Sequence, residues 1–378
     1  MVFEARMADS EPVREVYDHR SLVIKPTTNF PRNLWWALTI AAALSGLAAT
    51  KWLLPTALAQ LSSNELMSFL VQSVCLDDNG QIRRGLPTDA DCLIRQAQSD
   101  RDVATYRKYD WPNSNEAVRR PLGYQASDSV IMHRGGRTFV EQTFDFGDEK
   151  RAFGHFDAGL GDGGQVLVVI DGWASGIMTE DGSDGVQYFI GPGCRTVAQL
   201  AAGELSWLFF NSNVERGRWN STLARLNKGR LSSECPTVFN AALTRYRADT
   251  IDLPFRILDK SERPAETIKP VDVIISEHYG GEQITSADHL ERFYFARDLG
   301  LIRWERWENF AAPKPTALVQ VAKEFAQTGR CRPWAYSTAA EPQWQMIDCR
   351  NWTTLLPSMR WSVGDYQWTA LDALGPPE

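Results

Sequence analysis

The stretch that decides the fold is Leu290–Glu308, LERFYFARDLGLIRWERWE, which has the pattern of a β-hairpin. Both halves are rich in aromatic and charged residues, and Arg297–Gly300 between them suits a four-residue turn, because Gly300 is free to adopt a positive φ. The register that this turn implies pairs Ala296 with Leu301, Phe295 with Ile302, Tyr294 with Arg303, Phe293 with Trp304, Arg292 with Glu305, Glu291 with Arg306 and Leu290 with Trp307. It matches apolar residues with apolar ones and opposes charges, so it predicts an antiparallel pair.

The two faces of this hairpin differ in composition. The apolar face is predicted to enter the core and consists of Phe293, Phe295, Ile302 and Trp304. The other face is predicted to be an exposed or groove-lining surface and consists of Leu290, Arg292, Tyr294, Arg303, Glu305 and Trp307. A third strand, Val271–Tyr279, ends in Glu277 and His278, and its pairing with the hairpin would bring a carboxylate and an imidazole beside that surface.

Similar short apolar runs fill the chain upstream. They are broken by turns rich in Gly and Asp, and they comprise Ser129–Arg134, Arg137–Phe144, Arg151–Asp157, Gln165–Ile170, Trp173–Thr179 and Val186–Ile190. This pattern is typical of an antiparallel sheet protein, and no alternation of strands and helices points to a doubly wound fold. The predicted fold class is therefore mainly β, an antiparallel β-sandwich or jelly-roll-like domain with a few peripheral α-helices.

Four peripheral helices are predicted. Ser62 and Glu65 have the spacing of a capping box and start a helix that runs to about Cys75. The other three are Thr196–Leu205, the segment after Pro236 that carries Val238, Phe239, Ala242, Leu243 and Tyr246, and Thr316–Gln327.

The N-terminal segment predicts export. Leu34–Thr50 is a run of 17 apolar or small residues without a charge, and the small residues Ala57 and Ala59 follow it. These are the parts of a signal peptide cleaved after Ala59, which would make the protein periplasmic or secreted. The alternative is that the run stays as a single membrane anchor, the one case in which the protein would contact a membrane. The predicted organisation is a lead and signal peptide (1–59), a short helix with an irregular wrapping segment (60–127) and a β-rich domain (128–378).

All six cysteines lie beyond the predicted cleavage site, which suggests disulfides in an exported chain. Pairing of nearest neighbours gives Cys75–Cys92, Cys194–Cys235 and Cys331–Cys349, although six cysteines permit about 15 pairings. No CxxC spacing occurs and no His lies three to five residues from a Cys, so the sequence predicts no metal site.

Charge and motifs exclude several functions. Forty Lys and Arg against 47 Asp and Glu give a net charge of −7, whereas a nucleic-acid-binding protein needs a basic surface. The sequence contains no P-loop, no GxGxxG and no HExxH, so it supports neither a nucleotide ligand nor a cofactor.

The leading functional hypothesis is binding of a polysaccharide or another cell-envelope component. Aromatic rings offer an apolar face to a sugar ring, and charged groups offer hydrogen bonds. The candidate ligand-binding residues are Arg292, Tyr294, Arg303, Trp307, Tyr279 and Trp173.

Two alternatives remain. A polysaccharide-active enzyme would use Glu277 and Glu305 as a carboxylate pair for glycoside hydrolysis, or His278 or Tyr279 as the base of a lyase. The candidate catalytic residues are thus Glu277, His278 and Glu305. A structural or interaction module of the envelope would instead have no ligand groove and would bury its Trp residues in the core. In that case Glu305 would be only the cross-strand partner of Arg292.

Overall fold

The structure is a computed structural model, and it describes residues 60–81, 83, 86–97, 107–108, 126–145, 163–181, 186–194, 207–230, 235–258, 264–328, 334, 343–355 and 374. These residues belong to one compact unit, Ala57–Glu378. The predicted signal segment, the predicted strand Arg151–Asp157 and the predicted helix Thr196–Leu205 lie outside the described residues.

The described chain is mainly β, as predicted. In chain order its elements are α1 (Ser63–Leu70), β1 (Ser73–Leu76), β2 (Ile94–Ala97), β3 (Arg107–Lys108), β4 (Ala126–Arg134), β5 (Arg137–Asp145), β6 (Gly163–Ile170), β7 (Trp173–Asp181), β8 (Val186–Ile190), β9 (Trp207–Asn211), β10 (Asn220–Gly229), β11 (Asn240–Leu258), β12 (Pro264–Tyr279), β13 (His289–Ala296), β14 (Gly300–Asn309), α2 (Thr316–Thr328), β15 (Trp344–Asn351) and β16 (Thr354–Leu355).

These strands form an antiparallel β-sandwich. One run of the large sheet follows the order β8–β7–β6–β5–β4, and the other follows β11–β12–β13–β14–β15. The main core lies between the two runs and takes Val140 from β5, Leu167 from β6, Phe209 from β9 and Phe293 from β13. Apart from the short contact between β11 and β16, the strand pairings of the described chain are antiparallel.

Helix α1 closes one side of this core. The predicted capping box is confirmed: Ser62 Oγ accepts from the Glu65 amide at 3.3 Å, and the Glu65 carboxylate accepts from the Ser62 amide at 2.8 Å. The helix ends at Leu70 rather than near Cys75, because the following residues pair as β1 with β2. Helix α2 begins at Thr316, as predicted.

The predicted helix after Pro236 is wrong. Leu243 and Tyr246 have helical spacing, but both lie on the 19-residue strand β11, opposite Tyr279 and Ser276 of β12. The two strands pair continuously from Leu243–Tyr279 to Leu258–Pro264. That ladder of backbone hydrogen bonds outweighs a weak local preference for helix.

The hairpin β13–β14 has the predicted register from Leu290–Trp307 to Tyr294–Arg303. Closer to the turn the prediction is wrong, because Phe295 lies opposite Leu301 and Ala296 opposite Gly300, with a bulge between. Three residues rather than four form the turn, and Asp298 and Gly300 have φ values of 59° and 64°. A turn of three residues followed by a bulge shifts the register by one position. A side chain at position 300 would also approach the Leu70 carbonyl oxygen to 2.9 Å.

Two predicted disulfides are confirmed, Cys75–Cys92 and Cys194–Cys235. Cys349 is also disulfide-bonded, and Cys331 lies outside the described residues. Disulfides of this kind are typical of an oxidising, extracytoplasmic compartment.

Candidate functional site

Four charged residues form a line across strands β11–β14; three of them were predicted from the sequence, and Arg245 was not. Arg245 lies opposite Glu277, Glu277 opposite Arg292, and Arg292 opposite Glu305. We call these four residues and Arg303, which joins them from β14, the charge row. Because directly opposite residues point to the same side of a sheet, the whole row lies on one face, here called the polar face.

Glu277 is at the centre of the charge row and is fully buried. One carboxylate oxygen accepts from Arg292 through Nε at 2.8 Å and contacts Nη2 at 2.6 Å. The other accepts from Arg245 Nε and from the Tyr279 hydroxyl, the latter at 2.7 Å. Burial alone raises the pKa of Glu277, but the positive charges of Arg292 and Arg245 outweigh it and hold this pKa below its usual value. Glu277 is therefore an internal, ionised carboxylate.

Glu305 occupies the other end of the charge row. Its Oε2 accepts from Arg292 Nη1 at 3.1 Å and from Trp307 Nε1 at 2.9 Å, and its Oε1 lies 2.6 Å from Arg303 Nε. Arg292 thus joins the two carboxylates that were predicted as a catalytic pair. The prediction that Glu305 is the cross-strand partner of Arg292 is confirmed.

The expectation that the polar face is exposed or lines a groove is wrong. Its residues on the hairpin are all less than 5% exposed, and they are Leu290, Arg292, Tyr294, Arg303, Glu305 and Trp307. Trp334 covers one side of the face, with its ring 4.4 Å from the Arg303 guanidinium carbon and 4.9 Å from the Tyr294 ring. Leu86, from the segment that the Cys75–Cys92 disulfide closes, packs into the same apolar cluster. Distant segments therefore cover what looked like an open surface.

Apolar clusters flank the charge row on both sides along the strands. One contains Tyr279, Leu290 and Trp307, and the other contains Ile275 and Tyr294. Ile302 belongs to the second cluster, so its predicted place beside Phe293 and Phe295 is wrong. The bulge near the turn turns Ile302 to the polar face. Trp304 packs against the main core, as predicted, but is only partly buried.

His278 lies on the opposite side of β12, here called the aromatic face, so the expectation that it joins Glu277 beside one surface is wrong. Consecutive residues of a strand point to opposite faces, and this separates the two side chains. The imidazole lies among rings, with centroids 4.3 Å from Trp207, 5.1 Å from Phe209 and 5.2 Å from Phe293. Burial lowers the pKa of His278 to about 3.

The hydrogen bonds of His278 fix its tautomer. Ser276 Oγ donates to the Phe209 carbonyl at 2.7 Å and therefore accepts from His278 Nε2 at 2.9 Å. Nδ1 then accepts from the Thr244 hydroxyl at 3.3 Å. Both ring nitrogens are occupied by internal partners, which is the arrangement of a neutral structural histidine.

Tyr279 and Trp173 complete the set of predicted residues. Tyr279 is buried, its hydroxyl donates to Glu277, and burial and the Glu277 charge raise its pKa, so it is a poor base. Trp173 lies on β7 and is half-buried, 5.9 Å from the Tyr246 ring on the aromatic face. The structure brings together the predicted residues of the polar face, but places His278 and Trp173 apart from them.

Three residues of this region escaped the sequence analysis. Arg245 was assigned to a helix, and Trp219 and Trp334 belong to segments without a periodic pattern. Trp219 covers the β11 end of the polar face, with its ring 4.5 Å from the Arg245 guanidinium carbon and 4.9 Å from that of Arg247. Recognition of β11 as a strand would have been the one signal able to place Arg245 beside Glu277.

Comparisons with known proteins give no relative: no family model, curated protein or solved structure matches the chain. Within the described ranges, no three His, Cys, Asp or Glu side chains form a group that could hold a metal ion. None of the helices described for this chain is long and apolar enough to span a bilayer.

Proposed function

We propose that the protein is exported and acts outside the cytoplasm as a non-catalytic interaction module of the cell envelope. The observation that supports this most is that every candidate catalytic side chain is buried and bound to other residues of the protein. Glu277 and Glu305 are both bound to the buried Arg292, and His278 is a neutral core residue.

Enzymatic alternatives gain no support from this geometry. Glycoside hydrolysis needs one carboxyl group that holds a proton near neutral pH, and the pKa of Glu277 is lowered instead. A lyase needs a base that can reach its substrate, whereas Tyr279 and His278 are both buried and hydrogen-bonded internally.

Export is the second part of this proposal. The disulfides support an oxidising compartment. The apolar run Leu34–Thr50, with Ala57 and Ala59 after it, supports a signal peptide that is cleaved after Ala59. Fractionation of the producing cells, with N-terminal sequencing of the accumulated protein, tests it. A new N-terminus at Gln60 in the extracytoplasmic fraction is expected, and accumulation in the cytosol with reduced cysteines would overturn it.

The absence of catalysis is tested separately. Purified protein and a Glu277→Gln variant are assayed for release of reducing ends and of unsaturated uronates from a panel of polysaccharides. We expect no turnover from either protein. Turnover by the wild type that Glu277→Gln abolishes, with folding intact by circular dichroism, would show that the protein is an enzyme.

Glycan binding remains a second candidate because one end of the charge row reaches the surface. The side chain of Arg245 is 20% exposed, whereas those of Arg292 and Arg303 are at most 1% exposed. An envelope ligand would therefore be held at the β10–β11 side of the polar face rather than at Trp307 and Tyr294.

A further inference from the structure

Arg245 is the member of the charge row that reaches solvent. Its side chain is 20% exposed, whereas those of Arg292 and Arg303 are at most 1% exposed. Within the described part of the chain, Glu277 is the one carboxylate that Arg245 contacts. The neighbouring Arg247 is balanced by Asp249 at 3.3 Å. Because the inner arginines are buried, Arg245 is the cation of the row that a ligand in solvent can contact.

Strand β10 extends this end of the polar face into a surface strip. Ser221 lies opposite Arg245, Leu223 opposite Leu243, and Arg225 opposite Ala241, so all three point to the same side as Arg245. Ser221 is exposed, Leu223 is 48% exposed, and the side chain of Arg225 is 58% exposed. We call Ser221, Leu223, Arg225 and Arg245, with Trp219 beside them, the β10 strip.

The chemistry of the β10 strip fits an anionic polymer. Arg245 and Arg225 supply two cationic positions, the Ser221 hydroxyl supplies a hydrogen-bond donor, and Leu223 supplies apolar surface between them. Ser221 and Arg225 are four residues apart, or about 13 Å along the strand. A polymer with repeated anionic groups can reach both cationic positions at once, whereas a single small anion reaches one.

We infer that the β10 strip binds an acidic envelope polymer, with a carboxylate or phosphate group of the polymer on Arg245 and a second one near Arg225. This inference rests on the proposed extracytoplasmic role and names the class of ligand for it. Arg225 is bound to Glu282 at 3.5 Å, a pair exposed on both sides that an incoming anion can displace. The net charge of −7 disfavours non-specific attraction of polyanions, so binding of a polyanion would be due to the β10 strip.

Binding to immobilised polymers tests the inference, with the protein in the form that the cells accumulate. The probes are polygalacturonate for carboxylate, poly(glycerol phosphate) for phosphate, monomeric galacturonate and uncharged dextran. We expect one or both polyanions to bind, with affinity falling as salt is added, and the monomer and dextran to bind at least about tenfold more weakly. The two polyanions distinguish a carboxylate from a phosphate ligand.

Variants locate the contact. Arg245→Gln should lower the affinity at least about tenfold, since it removes a charge-assisted hydrogen bond. Arg225→Gln alters only an exposed side chain, does not threaten folding, and should lower the affinity about three- to fivefold. The matched control is Arg216→Gln: this arginine is 55% exposed and bound to Asp272 at 3.0 Å, but it lies on the opposite face, with Thr250.

The inference is overturned if neither polyanion binds, or if Arg225→Gln and Arg216→Gln change the affinity equally. Neither result bears on export, which fractionation and N-terminal sequencing decide independently. If the protein were cytosolic but still bound a polyanion through Arg225, the proposed function would be contradicted and the inference about the β10 strip would stand.

Discussion

The polar and aromatic faces of strands β12 and β13 are both buried, and they show two ways of keeping a titratable side chain inside a protein. On the polar face Glu277 stays charged, because three donors from Arg245, Arg292 and Tyr279 replace its water. On the aromatic face the adjacent residue His278 stays neutral, because rings surround it and two hydroxyl groups satisfy its nitrogens. Two adjacent residues of one strand are therefore accommodated in different ways, one as a paired charge and the other as a neutral ring.

The largest expected effect comes from removal of the central arginine. Arg292→Met leaves Glu277 and Glu305 buried with fewer positive partners, and should lower the free energy of unfolding by about 3–5 kcal/mol. Urea denaturation followed by tryptophan fluorescence measures it. Arg306→Met is the control. Arg306 and its partner Glu291 are 26% and 24% exposed, and its other partner Glu308 keeps a contact with Lys314 at 2.9 Å, so the loss of Arg306 should cost below about 1 kcal/mol. Equal losses from the two variants would mean that the polar face is open to water.

The burial of His278 on the aromatic face should make the free energy of unfolding fall as the pH is lowered. The folded-state pKa of His278, about 3, lies below the value of about 6.5 expected when unfolded. As pH falls below 6.5 the unfolded state takes up the proton first, so the stability is complete above that pH and is lost as pH falls toward 3. This group alone should remove roughly 3 kcal/mol between pH 7 and pH 4.

The variant that tests this is His278→Phe, which fits an aromatic environment and cannot take up a proton. The difference in unfolding free energy between pH 7 and pH 4 should shrink by that amount relative to wild type. His133→Gln, at an exposed position, should leave the difference as it is in wild type. An unchanged pH dependence in His278→Phe would contradict the neutral, buried imidazole.

The smallest expected effect comes from one hydroxyl group on each face. Tyr279→Phe removes one of the donors to Glu277 and should cost about 1.5–2 kcal/mol, since the bond is to a charged group. Tyr246→Phe, on the aromatic face where the ring packs against Trp173, should cost below about 0.5 kcal/mol. Urea denaturation of the two variants sharpens the comparison, and a larger loss in Tyr246→Phe would reverse it.

The sequence predicted the local part of this arrangement well. Matching of apolar residues and of opposite charges in Leu290–Glu308 predicted the register of Arg292 with Glu305, because both partners lie within one hairpin. The pattern also showed that the two faces differ. It could not show that the polar face is buried, because its cover comes from Trp219, Trp334 and Leu86, which are distant in sequence and lie in segments without a repeat.

The same limit explains the failure at β11. Leu243 and Tyr246 satisfy a helical spacing as well as a strand, and the choice depends on β12. Their partners there are Tyr279 and Ser276, which lie 36 and 30 positions farther along the chain. Pairing between separated segments is a tertiary effect that local propensity does not contain. Arg245 was missed for this reason, although it is the residue that carries the charge row to the surface.

A double-mutant cycle on Arg292 and Glu305 tests the central claim, that the predicted site is an internal ionic row, most directly. The unfolding free energies of wild type, Arg292→Met, Glu305→Leu and the double variant give the coupling energy of the pair. We predict a coupling of about 2 kcal/mol or more, with the double variant more stable than the sum of the single losses implies. A coupling below about 0.5 kcal/mol, the value of a pair in water, would contradict the account.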